Sequence, residues 1–365
     1  MGIALATYHD VRGIYPTAYD HINHGPNKHN WNWTPTQAEI EAWSAPNWVI
    51  LILPFMEEQN LYKQFNFKKT MKDASTSAAY PVSNAELANR DLEWMRCPSD
   101  SGIGNETRYS EKGKLISKGV FAYSKFARGN YAASGSTQLG FAYPPGVSKG
   151  APDAGWLNSD YQWITDQAKY CRGIMGPGAS LSRKRVTDGL TNTVLLAEIR
   201  IGLSVSDIRG TWAFGMPNCS TLWGLHYNLG PNSIYDGTGG GSAVYSELAG
   251  TAGKTTTQQQ TIGEAIAVRA GHAFALPTYY SHNCGSVKSQ HIAGANVCMA
   301  DGSVRFLSNN VDVGRYGGYW FPSDGNYNTH VKHPPDPGAS ASLGLYERLF
   351  SSQDGMYTDT LAAFD

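Results

Sequence analysis

The sequence predicts an α+β chain in which a few short helices come first and strands and loops make up most of the remainder. Three observations carry that prediction. Ala295-Asn-Val-Cys-Met-Ala300 and Ser303-Val-Arg-Phe-Leu307 flank Asp301-Gly302 and read as a β-hairpin whose two turn residues tolerate positive φ. Thr193-Val-Leu-Leu-Ala-Glu-Ile-Arg200 is apolar and β-branched, as a strand is. Helical patterning, by contrast, is confined to short segments with recognisable stops.

Taken in order, Ile3, Leu5, Ala6 and Tyr8 are spaced as in the last turns of a buried helix, and Gly13 with Pro16 ends it. A helix of about ten residues is marginal alone. It is either an ordinary short N-terminal helix or the end of a longer one. Residues 17–47 form a polar loop rich in His, Asn, Trp and Pro. A helix is expected over about 48–65, kinked at Pro54. Glu57 and Glu58 near its start and Lys63 near its end suit the helix dipole, and Phe55, Tyr62 and Phe65 share a face. A second helix is expected over about 84–94, with Asn84 as N-cap, Leu87, Leu92 and Trp94 turned inward, and Cys97-Pro98-Ser99-Asp100 as its stop. Residues 101–180 read as strand and loop, with Asn130-Tyr131-Ala-Ala a strand end near the core. Val186 to Leu190 is a turn into the 193–200 strand, and Arg209 to Phe214 is another strand. Residues 228–262, rich in Gly, Ser, Thr and Gln, are an exposed insertion. The stretch 313–365 is an aromatic, Pro/Gly-rich extension with one helical piece near Leu343 to Phe350.

Composition excludes several functions. The 365 residues carry a net charge of −1, and only 16% are charged, against about 25% in an average domain. There is no electrostatic footprint for a phosphate backbone, so no nucleic-acid partner is expected. Hydrophobic content of 41% is too high for a disordered chain. The longest apolar run, Trp48 to Leu53, is far short of the roughly 20 residues that span a bilayer. Five scattered cysteines (Cys97, Cys171, Cys219, Cys284 and Cys298) hold no C-x-x-C pair. That usage suits an exported protein with one or two disulfides, whose connectivity stays open.

The common enzyme signatures are absent. No serine sits in G-x-S-x-G, no H-E-x-x-H occurs, and Leu248 stands where a P-loop ending at Gly253-Lys254-Thr255 needs glycine. His21, His24 and His29 share a loop but lack the helical i, i+4 spacing that aims two rings at one ion. Asp324-Gly-Asn326-Tyr-Asn328 echoes half a calcium loop without its later Gly and distal Glu. Neither carries a metal expectation, and no cofactor or catalytic residue is assigned. The sequons at Asn32, Asn105 and Asn218 are expected by chance in a polar chain. Trp31, Trp33 and Trp43 are the best candidates for stacking on sugar rings, although aromatics also fill cores and anchor interfaces.

The hairpin also carries a family resemblance. His291-Ile-Ala-Gly-Ala-Asn-Val-Cys-Met-Ala-Asp301-Gly302 resembles the H-X9-DG motif of a large group of bacterial prepilin-like proteins, the DUF1559 family. Further segments agree in order. They are Gly2 to Asp10 with Gly13 and Tyr15-Pro16; Trp48 to Tyr62; Cys97-Pro98-Ser99-Asp100; Asn130-Tyr131; Asp188-Gly189-Leu-Thr-Asn192-Thr193 with Glu198; and Arg209-Gly-x-Trp212. Together they cover residues 2 to about 312.

The resemblance implies a pilin-like fold, with an N-terminal helix against an antiparallel sheet and a large loop- and strand-rich head. It divides the chain into the end of a pilin-type helix at 1–16, a globular head at 17–312 and the extension at 313–365. It also implies a leader and an apolar helix upstream of Met1, the only part that would meet a membrane, so the chain is expected to be a piece of a longer product. The expected role is non-enzymatic: an exported cell-surface or extracellular structural protein that forms homo-oligomers through Ile3, Leu5 and Tyr8 of its helix. The alternative is an extracellular surface module that binds polysaccharide or another ligand. His291, Asp301, Gly302, Cys97, Pro98, Asp188, Gly189 and Asn192 are expected to be structural motif residues. The imidazole of His291 would then bond a nearby carbonyl or carboxylate.

Overall fold

The computed structural model describes residues 1–18, 46–100, 108–110, 125–136, 173–176, 179–201, 209–215, 219–223, 231–232, 287–313, 344–352 and 364. Trp31, Trp33 and Trp43, the histidines at 21, 24 and 29, the calcium-like stretch at 324–328, the three sequons, Cys171, Cys284 and nearly all of the 228–262 insertion lie outside them.

Helix α1 (Gly2–Arg12) ends where Gly13 turns left-handed at φ 77° and returns its N–H to the His9 carbonyl. Ala4 and Leu5 face inward, while Ile3 and Val11 stand 85% and 65% exposed on the other side. The helix expected over 48–65 is broken rather than kinked. It comprises α2 (Trp48–Ile52), a 3-10 turn (Leu53–Phe55) and α3 (Gln59–Tyr62). Pro54 has no N–H to continue the ladder. The Leu53 carbonyl then accepts from both Met56 and Glu58, and Glu57 between them sits at φ 64°.

Helix α4 (Asn84–Leu87) is one turn long, followed by a separate 3-10 turn at Glu93–Met95. Its N-cap is Ser83, not Asn84. The Asn84 amide is engaged elsewhere: it accepts from the Asn66 N–H and donates to the carbonyls of Asn66 and Thr70, fastening the preceding loop.

The strands are β1 (Arg108–Ser110), β2 (Lys125–Ala127), β3 (Tyr131–Ser136), β4 (Met175–Gly176), β5 (Ala179–Ser180), β6 (Val194–Glu198), β7 (Thr221–Trp223), β8 (Gly294–Met299) and β9 (Val304–Ser308); helix α5 (Leu345–Phe350) follows. Five of them form the main sheet in the order β7-β3-β6-β8-β9, antiparallel except for β3 with β7. The strand expected over 209–214 is reduced to a single bridge between Arg128 and Thr211. Gly210 breaks the extended run at φ 76°, and a side chain there would meet the Gly129 carbonyl at 2.3 Å.

The sheet is buried on both faces except at its edge strand β9, where Val304 and Phe306 are exposed. Ala133, Leu195 and Leu196 face a core shared with Ala4, Leu5, Tyr15, Trp48 and Trp212. Ala132, Val194, Val297, Met299 and Leu307 face a second core completed by Tyr346, Leu349 and Phe350 of α5. Residues 345–350 of the C-terminal stretch therefore belong to the packed head. β6 is apolar and buried without alternation, as a strand covered on both sides is. An irregularity between Val194 and Leu196 puts both leucines on the same side.

The hairpin turn differs from the expected two-residue form. Only Gly302 has positive φ, at 88°. Gly302 N–H bonds the Met299 carbonyl and Met299 N–H bonds the Ser303 carbonyl, so Ala300-Asp301-Gly302 is a three-residue loop with a glycine bulge. Asp301 folds back to accept from the N–H and hydroxyl of Ser303 at 2.8 and 2.7 Å.

Helix α1 is docked at this end of the sheet. Gly2 lies so close to the hairpin that a Cβ would approach Cys298 Sγ to 2.9 Å. The Tyr15 hydroxyl donates to the Ala300 carbonyl at 2.8 Å, and Arg183 pairs with Asp10 at 2.6 Å.

Candidate functional site

The motif residues sort to opposite ends of the β6–β8 pair. Antiparallel register sets Val194 beside Met299 and Ala197 beside Val297. Residues just before β6 therefore meet the turn after β8, and residues at the end of β6 meet the segment before β8.

At the first end the turn at Asp188–Thr193 is self-bonded. Asn192 donates to the Asp188 carbonyl at 3.1 Å and Thr193 to the Gly189 carbonyl at 3.0 Å, with Gly189 at φ 98°. It then joins the hairpin, where Asp301 N–H donates to the Leu190 carbonyl and Ala300 N–H to that of Thr193. Asp301 and Gly302 are turn-builders here, well away from His291.

At the other end three distant segments converge. Cys97 follows the 3-10 turn at 93–95, Glu198 closes β6, and His291 precedes β8. His291 Nε2 is 3.4 Å from Glu198 Oε1 and 3.9 Å from Cys97 Sγ. All three donor atoms lie within 4.8 Å of one another. Glu198 is 2% exposed and Cys97 is buried, while the His291 side chain is 30% exposed, so the cluster opens outward on the imidazole side.

Each member is held by backbone geometry and polar bonds. Asn296 donates its N–H to Glu198 Oε2 at 2.8 Å and its amide to Oε1 at 3.1 Å, and the same Nδ2 lies 3.2 Å from His291 Nε2. Cys97 N–H donates to Asn130 Oδ1 at 2.9 Å. Asn130 Nδ2 donates to Asp100 Oδ2 at 2.6 Å and to the Ile199 carbonyl at 3.2 Å, while Asp100 also accepts from Ile201 N–H. Asn232, at φ 56°, fastens the His291 side by donating to the Gly294 carbonyl at 2.9 Å and accepting from Ser289 N–H. Phe306 of β9 meets the imidazole edge to face at 6.1 Å.

The electrostatics derive from burial. Desolvation pushes the Cys97 thiol above its ordinary value, and the Glu198 carboxylate adds to the effect. Tyr131, paired with Glu198 in register, is raised to about 12 by burial first and by Cys97 and Glu198 after it. Cys97 and Cys298 are both thiols rather than halves of a disulfide.

The expected site residues thus fall into separate groups. His291 and Cys97 meet; Asp188, Gly189 and Asn192 meet Asp301 and Gly302 at the far end; Pro98 is exposed in its turn. Leu5 is buried and Tyr8 packs against Phe55 at 5.8 Å between ring centroids, whereas Ile3 points outward. Glu198, Asn130, Asp100 and Asn296 carry the geometry of the cluster; all four stand in the segments that carry the family resemblance, although none is among the site residues expected from sequence. Asn296 has a legible signal, being the polar residue between Ala295 and Val297 of an otherwise apolar strand. Among the described residues, no helix is long and apolar enough to cross a membrane.

Comparison with known proteins bears on the sheet and the helices that precede it, and not on α5. The model of a family described as protein of unknown function (DUF1559) matches residues 1–314. No curated protein and no solved structure matches.

Proposed function

The chain belongs to the DUF1559 family, and from that premise we propose that it is the head of an exported, non-enzymatic pilin- or pseudopilin-like structural protein. It is displayed at a bacterial surface and assembles with copies of itself through the N-terminal helix. The observation that carries this reading is the two-sided character of α1. Ala4 and Leu5 are buried in the head, and Tyr8 packs against it, while Ile3, Val11 and the adjacent Ile14 are 85%, 65% and 45% exposed. Exposed Thr7, Asp10 and Arg12 lie among these apolar residues, so the outer side is mixed, and in a pilin-type assembly it is the side that packs against neighbouring helices. The motif residues support a structural role as well, because most of them close turns or tie strands rather than line an open cleft.

Electron microscopy of native material tests the reading. Filaments or defined oligomers are expected, and they should be lost or weakened in Ile3→Glu and Val11→Glu variants whose heads still melt like the parent. Protein that stays strictly monomeric in detergent and out would overturn the proposal.

A further inference from the structure

We propose that Cys97, Glu198 and His291 form a binding site for a divalent transition-metal ion of borderline softness, with Zn2+ the best match, and that the ion clamps three segments of the head together. The donor set is one thiol, one carboxylate and one imidazole, each a common zinc ligand. With Zn–S near about 2.3 Å and Zn–N and Zn–O near about 2.0–2.1 Å, tetrahedral ligands lie roughly 3.3 Å apart for N and O and roughly 3.6 Å apart for S and N. The corresponding separations here are 3.4 Å for His291 with Glu198 and 3.9 Å for His291 with Cys97. The third pair, Cys97 with Glu198, is held within 4.8 Å against roughly 3.6 Å in a tetrahedral site, so seating the ion draws the thiol and the carboxylate together by up to about 1.2 Å.

A second observation concerns Nε2 itself. It lies 3.4 Å from a carboxylate oxygen and 3.2 Å from the Asn296 amide nitrogen. A bare Nε2 accepts from Asn296 and sets its lone pair against Glu198. A protonated Nε2 donates to Glu198 and meets an amide N–H head-on. Each neutral tautomer leaves one contact of like polarity, and a cation between Nε2 and Oε1 removes the conflict. A half-turn of the Asn296 amide then brings its Oδ1 to the place now held by Nδ2 and supplies a fourth ligand, an oxygen. Glu198 is already oriented by the Asn296 N–H at 2.8 Å, the kind of outer bond that fixes a metal-ligating carboxylate. Binding releases the Cys97 proton to solvent and involves no change of oxidation state.

The test uses the purified chain, stripped with a chelator and titrated with Co2+ and then Zn2+. The expected result is one Co2+ per chain with a thiolate-to-metal charge-transfer band and tetrahedral ligand-field bands, all abolished by Zn2+. Zn2+ should also raise the melting temperature. Cys97→Ser should lose the charge-transfer band, and His291→Gln and Glu198→Gln should bind Zn2+ at least about tenfold more weakly. His291 is partly exposed, so His291→Gln carries the test if the other variants fail to fold. A wild-type spectrum without a thiolate band, including nitrogen-only binding by the 21–29 histidines, would overturn the proposal. So would a band that persists unchanged in Cys97→Ser or His291→Gln.

Discussion

Asn130 is 2% exposed, and its amide makes three hydrogen bonds that join the Cys97–Asp100 turn to the end of β6. Removing it takes a donor from a buried carboxylate and an acceptor from a backbone N–H, so Asn130→Ala is expected to cost about 3 kcal/mol in urea unfolding. His291→Ala removes only partly exposed contacts and should lower stability by about 1 kcal/mol in metal-free protein. Tyr131 makes a pH prediction. Its folded-state value is about 12 against an ordinary 10.0, so the folded protein holds this proton where the unfolded chain has lost it. Its contribution is complete below pH 10.0 and disappears as pH rises through about 12. Denaturation from pH 9 to 12 should therefore show a falling stability that flattens in Tyr131→Phe; identical slopes would refute the assignment.

Helix α2 is short because its ends are set by other elements. Asn47 caps it by accepting from Ile50 N–H and donates at 2.6 Å to the Trp212 carbonyl and 2.9 Å to Ser220 Oγ. Trp48 adds a bond from its indole N–H to the Ser220 carbonyl at 2.7 Å. Asn47→Ala loses a cap and takes a donor from two buried acceptors, a cost of about 2 kcal/mol by thermal melting. In the hairpin, a Cβ on Gly294 would meet the Leu307 carbonyl at 2.1 Å. Gly294→Ala should pry β9 from β8 and cost on the order of 2–3 kcal/mol, read by amide exchange at Leu307 and Ser308.

For the whole molecule, the decisive contact is α1 against the head. Leu5 is wholly buried in the first core, so Leu5→Ala should cost about 3 kcal/mol. Ile3→Ala should leave melting within about 0.5 kcal/mol of the parent because the side chain is exposed. Similar losses at the two positions would mean that α1 does not dock as described. The Arg183–Asp10 pair contributes little by comparison, since Asp10 is 62% exposed.

Local chemistry made much of this legible. Gly13 ended α1, the Asp-Gly pair marked a hairpin, and the β-branched run at 193–200 became β6, because each signal acts within a few residues. The same locality explains the misses. Pro54 and Glu57 together break the 48–65 helix, and Asn84 is drawn from capping by carbonyls up to eighteen residues away in sequence. The sequence by itself determined the family, the α+β class and the positions of the turns. Only the tertiary structure decided that the donor atoms of Cys97, Glu198 and His291 come within 4.8 Å of one another. Their meeting depends on the antiparallel register of β6 with β8 and on the Asn130 and Asp100 bonds to the preceding turn. No ligand spacing along the chain can encode a site whose donors are brought together by strand pairing.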